Sequence, residues 1–263
     1  MSGGAGPFVV AGHPRSGTTV LTRLLNTHPE IEATFELGAF LGLDAPYAVY
    51  RRGLRLGYRE RPLRGVGTGT PRGRAWASRR FVGEFRYRLW RRRGSTIGLA
   101  TVAELLTRTL RRPRVGDKLP AYVFALDDLA AREGLEIIVI VRDCRAVTAS
   151  TLARVRTGWS GREWTSRLDT AAKAAANWVR AVESIERNAQ RLHVVRYEDL
   201  VEDPASCAEG LGELLGVEPG AFDQRLVRRP DGTKACRFLD STDLETIEEV
   251  AGAAMRRWGY PVS

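Results

Sequence analysis

Lysine is nearly missing from this chain of 263 residues: Lys118, Lys173 and Lys234 are the only three among forty-one basic residues. Cysteine is equally scarce. Cys144, Cys207 and Cys236 are far apart, odd in number and form no C-x-x-C pair. That argues against a disulfide framework or a thiolate zinc site and fits a reducing cytoplasm. His13, His28 and His193 do not stand at metal-ligand spacing. No run approaches the ~18 apolar residues that a membrane-spanning helix requires. The N-terminus has no charged stretch followed by an apolar one, so no secretion signal is expected.

What the chain has instead is arginine, and with it a formal net charge of +10. Fifteen arginines stand between Arg51 and Arg93 against two acids, Glu60 and Glu84, while the rest is nearly balanced. The first half of this block, RRGLRLGYRERPLRGVGTGTPRGRA, is punctuated by Gly and Pro and reads as loop-rich. The second half, AWASRRFVGEFRYRLWRRR, can form a helix with aromatic residues along one side. As an insertion spanning about 44–112, the block reads either as solvated surface or as a positively charged lid for an acidic substrate. Nucleic-acid or polyanion binding would rest on this block alone, and nothing else in the chain calls for it.

The length suits one large α/β domain, taken here as 1–263. Strand-like runs stand at 7–12, 31–35, 135–141 and 192–197, with a weaker one at 114–119. They are short, β-branched and nearly continuous, as expected where both faces of a sheet are covered. Helical patterns lie between them, at 17–28, 96–111, 120–132, 144–156, 167–190, 205–215 and 242–257. The alternation predicts a three-layer α/β/α fold with a central, mostly parallel sheet. Ligands of such folds sit at the carboxyl ends of the strands.

The first strand runs into GHPRSGTT, residues 12–19, one residue short of a phosphate-binding P-loop: Gly12, Gly17 and Thr19 are in place, but Thr18 replaces the lysine. The loop amides and the helix start can still cradle an anion. A nucleotide kinase or NTPase additionally needs that lysine and an acid for magnesium. Asp143, after IIVIV, is the one acid in a matching place, and Arg142 beside it opposes a metal cation. The loop therefore reads as P-loop-like, an anion cradle without Mg-NTP machinery, and no metal is expected.

PRSGTT after a first strand resembles the 5′-phosphosulfate loop of sulfotransferases that use 3′-phosphoadenosine-5′-phosphosulfate (PAPS). IIVIVRDCRAVTAS supplies Arg142 and Ser150, at the spacing of the second half of that family's signature. HPEIEATFE, GDKLP, Arg154 one turn beyond Ser150, and VRYEDL are similar to the branch that includes tyrosylprotein sulfotransferases.

The resemblance implies sulfuryl transfer from PAPS, with phosphoadenosine phosphate (PAP) as product. The acceptor would be a hydroxyl or amine on a small molecule, a glycan or glycolipid, or a peptide. It implies that Arg15, Ser16, Gly17, Thr18 and Thr19 hold the phosphosulfate, and that Arg142, Ser150 and Arg154 hold the 3′-phosphate. Glu36 matches the branch's glutamate base, whereas Pro120 stands where the cytosolic small-molecule enzymes carry a histidine. Lys118 would stabilise the leaving oxygen; the plainer alternative is a salt bridge to Asp117 or Asp143. Tyr197, at the end of a strand, would reach the adenine, or else pack under a turn. Lys234, in PDGTKAC, would cover the 3′-phosphate.

Overall fold

The computed structural model describes residues 6–55, 71–159, 163–228 and 238–262. Five strands form one sheet: β1 (Phe8–Ala11), β2 (Ile31–Phe35), β5 (Arg114–Lys118), β6 (Glu136–Val141) and β7 (His193–Arg196). Their order is β2-β5-β1-β6-β7 and every pairing is parallel. Two-residue strands β3 (Ala45–Pro46) and β4 (Thr96–Ile97) pair separately and antiparallel. The sheet is the one read from the sequence, including the weak strand at 114–119.

The apolar runs divide by period two even though they are continuous. Val9, Ala11, Ile137, Val139 and Val141 face one core, and Phe8, Val10, Ile138 and Ile140 face the other. The second core is closed by α1 (Thr18–Leu25), α8 (Tyr197–Glu202) and α9 (Pro204–Leu215), through Leu21, Leu24, Leu200 and Leu211. The first core is filled from α3 (Pro71–Trp90), α4 (Leu99–Leu110), α6 (Cys144–Thr157), α7 (Ala171–Arg187) and α10 (Ser241–Arg257). Side chains cap several of these helices: Asp143, Thr170, Asp203 and Asp240 each accept a first-turn amide.

The arginine-rich block joins this core. Phe81, Val82, Phe85 and Leu89 of α3 are buried in it, each such side chain contributing ~1.5–3 kcal/mol. The arginines Arg79, Arg80 and Arg86 stay on the outer face. Upstream, α2 (Tyr47–Gly53) is anchored by Tyr50, whose buried hydroxyl donates to Ala39 O at 2.7 Å. Most of the Gly/Pro-punctuated stretch, 56–70, lies outside the described residues.

Two local expectations change. Residues 120–132 split into a 3-10 turn, Pro120–Ala125, and the short α5 (Leu126–Ala130). Tyr197 does not close a strand; it opens α8. Among the described residues, no helix is long and apolar enough to cross a membrane.

Candidate active site

All five carboxyl ends of the sheet deliver a residue singled out by sequence. After β1 the chain turns through two glycines that a side chain would not fit. At Gly12 (φ 150°) a Cβ would lie 2.5 Å from Ile140 O, and at Gly17 (φ 103°) 2.4 Å from the Tyr197 ring. Gly17 is also the N-cap of α1 and offers no side-chain hydrogen bond, so the first amides of the helix are left for another acceptor. Ser16 differs from its neighbours: its amide is used within the loop, donating to His13 O at 3.0 Å. Its Oγ is buried and has no partner among the described residues. Thr18 is buried and Thr19 exposed at the helix start.

His13 supports the loop from behind. Its Nδ1 donates to Pro14 O at 2.7 Å and its Nε2 accepts from Asn177 Nδ2 at 2.9 Å, the arrangement of a neutral ring. Burial accordingly pushes its pKa down to about 4, against the opposing hydrogen bond to Pro14.

The second sequence motif meets the loop directly. Arg15 Nε donates to Ser150 Oγ at 2.9 Å, and Arg142 Nη1 lies 3.4 Å from Arg15 O. Burial, then the charges of Arg154 and Arg142, lower the Arg15 pKa, because three cations stand close together. Arg142 is pinned on both sides. Trp178 Nε1 donates to its carbonyl at 2.9 Å, while the next amide, Asp143 N, donates to Glu198 Oε1 at 3.0 Å. Asp143 caps α6 and pairs with Arg145 at 2.6 Å. The described residues hold no cluster of His, Cys, Asp or Glu suited to a metal ion.

Beside the loop, Lys118 Nζ sits 3.1 Å from Glu36 Oε1, with the lysine 3% and the glutamate 29% exposed. Lys118 thus forms an ion pair with Glu36. Glu36 follows β2 in a left-handed conformation (φ 60°), held there by its amide donating to Lys118 O. Among the described residues only four non-glycines have positive φ, and Arg15 (78°) and Glu36 are two of them. Strain of this kind persists only where surroundings over-determine it.

Asp117 supplies that over-determination. Fully buried, its carboxylate accepts from the amides of Leu37, Gly38 and Ala39 and from the hydroxyls of Thr34 and Tyr122. Burial pushes its pKa up and these donors pull it back. Five donors facing one carboxyl are satisfied by the ionised form.

The sulfotransferase family profile matches residues 7–222, from the first strand through the loop, Glu36, Lys118 and the second anion motif. The chain belongs to the sulfotransferase family. Its fold matches the sulfotransferase domain of the curacin biosynthetic pathway, with TM-score 0.62, 19% identity, 98% of this chain covered and 99% of that one. It also matches the sulfotransferase domain of the Synechococcus PCC 7002 olefin synthase, with TM-score 0.61, 21% identity, and 98% and 95% covered. Mycobacterium avium sulfotransferase STF9 follows, with TM-score 0.55, 15% identity, and 99% and 79% covered. No curated protein sequence matches the chain significantly.

In this sulfotransferase the Tyr197 ring is packed beneath the loop, against Gly17, with the Arg142 guanidinium 4.3 Å from its centroid. It touches both the loop and the Arg142 side chain. Lys234 and Cys236 lie outside the described residues. Sequence reasoning passed over Asp117, His13 and Asn177 as working residues. An acid inside a short strand, in GDKLP, was the available signal for Asp117. Asn177 carried none, because its partner is 164 residues away.

Proposed function

We propose that this sulfotransferase draws on PAPS and passes the sulfuryl group to a hydroxyl or amine acceptor, with Glu36 as general base. The observation that carries this reading is the 3.1 Å contact between Lys118 Nζ and Glu36 Oε1 beside the anion loop. A proton acceptor and a cation meet at one point on the edge where parallel sheets bind ligands.

The residues present fit the donor. Ser16 Oγ is buried without a partner, Gly17 leaves the helix amides open, and Arg15, Arg142 and Arg154 repel one another. An anion held there gains hydrogen bonds and relieves the repulsion. Arg15, Ser16, Gly17, Thr18 and Thr19 would hold the phosphosulfate; Arg142, Ser150 and Arg154 the 3′-phosphate, beside the Tyr197 ring. When bound, PAPS supplies an activated sulfuryl group and leaves as PAP. Glu36 takes the proton from the acceptor, and Lys118 offsets negative charge developing on the leaving oxygen. The protein's cations provide the neutralisation, so the reading calls for no metal. The scattered cysteines fit a reducing cytoplasm.

Incubation with radiolabelled PAPS, EDTA and a panel of hydroxyl and amine acceptors tests the proposal. Labelled sulfate ester or sulfamate supports it; no label transferred to any acceptor, with phosphoryl transfer from ATP in a parallel incubation containing magnesium instead of EDTA, overturns it.

A further inference from the structure

A cleft stands apart from the loop. Tyr47 and Arg51 of α2 and Arg86, Tyr87, Leu89 and Trp90 of α3 line a cleft of about 250 Å³. Three features set it apart from the arginine-rich surface around it.

The first is unpaired charge. Most guanidinium groups nearby are engaged: Arg88 grips Glu84, Arg92 reaches Glu104, and Arg52 donates to Ala48 O. Arg51 and Arg86 have no ion pair or side-chain hydrogen bond among the described residues, yet both line the cleft. Two positive charges on the walls of one small concavity, with no acid among its lining residues, select an anion.

The second is exposed aromatic surface. Tyr87 and Trp90 are 59% and 48% exposed, although a helix with a core-facing side could have hidden them. Their rings stack at 6.3 Å with 24° between planes, and Arg93 lies 4.0 Å from the Trp90 centroid. Stacked aromatic planes with arginine beside them favour a flat, apolar partner.

The third is rigidity. Leu89 is buried under the cleft in the main core, and α2 is fastened to the Glu36 loop from two points. Tyr50 donates to Ala39 O, and Arg55 N donates to Leu37 O at 2.9 Å. The walls are therefore preformed, which lowers the ordering cost of binding.

We propose that this cleft binds an aromatic carboxylate: the flat ring on Tyr87 and Trp90, the carboxylate between Arg51 and Arg86. A carboxylate offers two coplanar oxygens to each guanidinium fork, and the volume accommodates a two-ring system. The assignment does not rest on PAPS or on Glu36 as base.

The test uses the full chain, with 2-naphthoate as probe and 2-naphthamide as its uncharged counterpart, measured by calorimetry and tryptophan fluorescence. The wild-type chain should bind the naphthoate at least about tenfold tighter than the amide, the scale of a charged hydrogen bond. Arg51→Ala/Arg86→Ala should remove that preference while its circular dichroism matches wild type. Trp90→Phe should bind with similar heat and lose most of the quenching. Equal binding of the two probes, or unchanged preference in the double variant, overturns the proposal. So does loss of naphthoate binding in Arg142→Ala, which would place the carboxylate in the loop. Should the double variant misfold, the single charge-keeping change Arg86→Lys still decides. A compact ammonium cannot grip both oxygens, so affinity should fall several-fold, and unchanged affinity counts against the site.

Discussion

Arg15 and Ser150, 135 residues apart, share a hydrogen bond of 2.9 Å that closes the gap between the P-loop-like turn and α6. Through it the two motifs are joined in one place. Ser150→Ala should therefore do two things: weaken PAP and loosen Arg15. Together with Arg142→Ala it should cost PAP affinity about ten- to a hundredfold per variant, the range of a charged hydrogen bond. Preference for the 3′-phosphorylated nucleotide over its unphosphorylated analogue should erode. Competition binding checks this, and intact discrimination in both variants removes the 3′-phosphate assignment.

Glu36→Gln keeps the shape and part of the contact to Lys118 but cannot take a proton. Turnover should fall by ~10²–10⁴, the usual worth of general-base catalysis, with PAP affinity nearly unchanged. Lys118→Ala should also slow turnover. A more acidic acceptor, or higher pH, should partly rescue the glutamine variant and not the alanine one. Single-turnover rates against acceptor pKa separate the two; a near wild-type rate for Glu36→Gln contradicts the base assignment.

Asp117→Asn should damage fold and catalysis together, because an amide group turns two donors toward donors. Breaking a buried charged network of this kind costs about 3–5 kcal/mol. Tyr122→Phe, which removes one of the five hydrogen bonds and the acceptor of the Phe40 amide, should cost less, ~1–3 kcal/mol. Urea unfolding gives both values. Equal costs would mean that Asp117 does not organise the Glu36 loop.

Glu32, on edge strand β2, is buried with Oε1 lacking a partner, and burial, opposed by Arg112, raises its pKa from 4.5 to about 7. The folded chain then holds a proton that the unfolded chain releases near 4.5. Stability from this group is full below that pH and is lost as pH rises toward 7, at up to ~1.4 kcal/mol per unit. His13 works the other way, losing stability as pH falls from 6.5 toward 4. Glu32→Gln removes the first effect only. Its Tm relative to wild type should climb between pH 5 and pH 7, about where the carboxyl would ionise. A flat difference across that window contradicts the shift.

Much of this was readable in the chain, and the gaps have physical causes. The strands showed themselves because β-branched runs such as IIVIV have few other uses. Gly12, Gly17 and Thr19 gave the cradle because the turn admits few residues. Two-residue strands such as β3 and β4 carry no period to read, and α2 is too short to show one. Glu36 stood out through the resemblance, since Glu30 and Glu32 look the same by composition. The bracing was hidden for a different reason. Asp117 reaches Gly38 across 79 residues and Asn177 reaches His13 across 164, contacts that only the folded chain creates. Glu198, in VRYEDL, braces the Arg142 turn and accepts from Tyr260 near the C-terminal end of α10, so one matched motif is a structural support for another.

On the function proposed above, the loop and its arginines take a 3′-phosphorylated adenosine donor without a metal. Calorimetry of the wild-type chain with PAP, in EDTA and then in magnesium, tests it most directly, with ATP titrated alongside. The account predicts tight PAP binding that EDTA leaves unchanged and much weaker ATP binding under both conditions. PAP binding that vanishes in EDTA, or ATP preferred in magnesium, would contradict it.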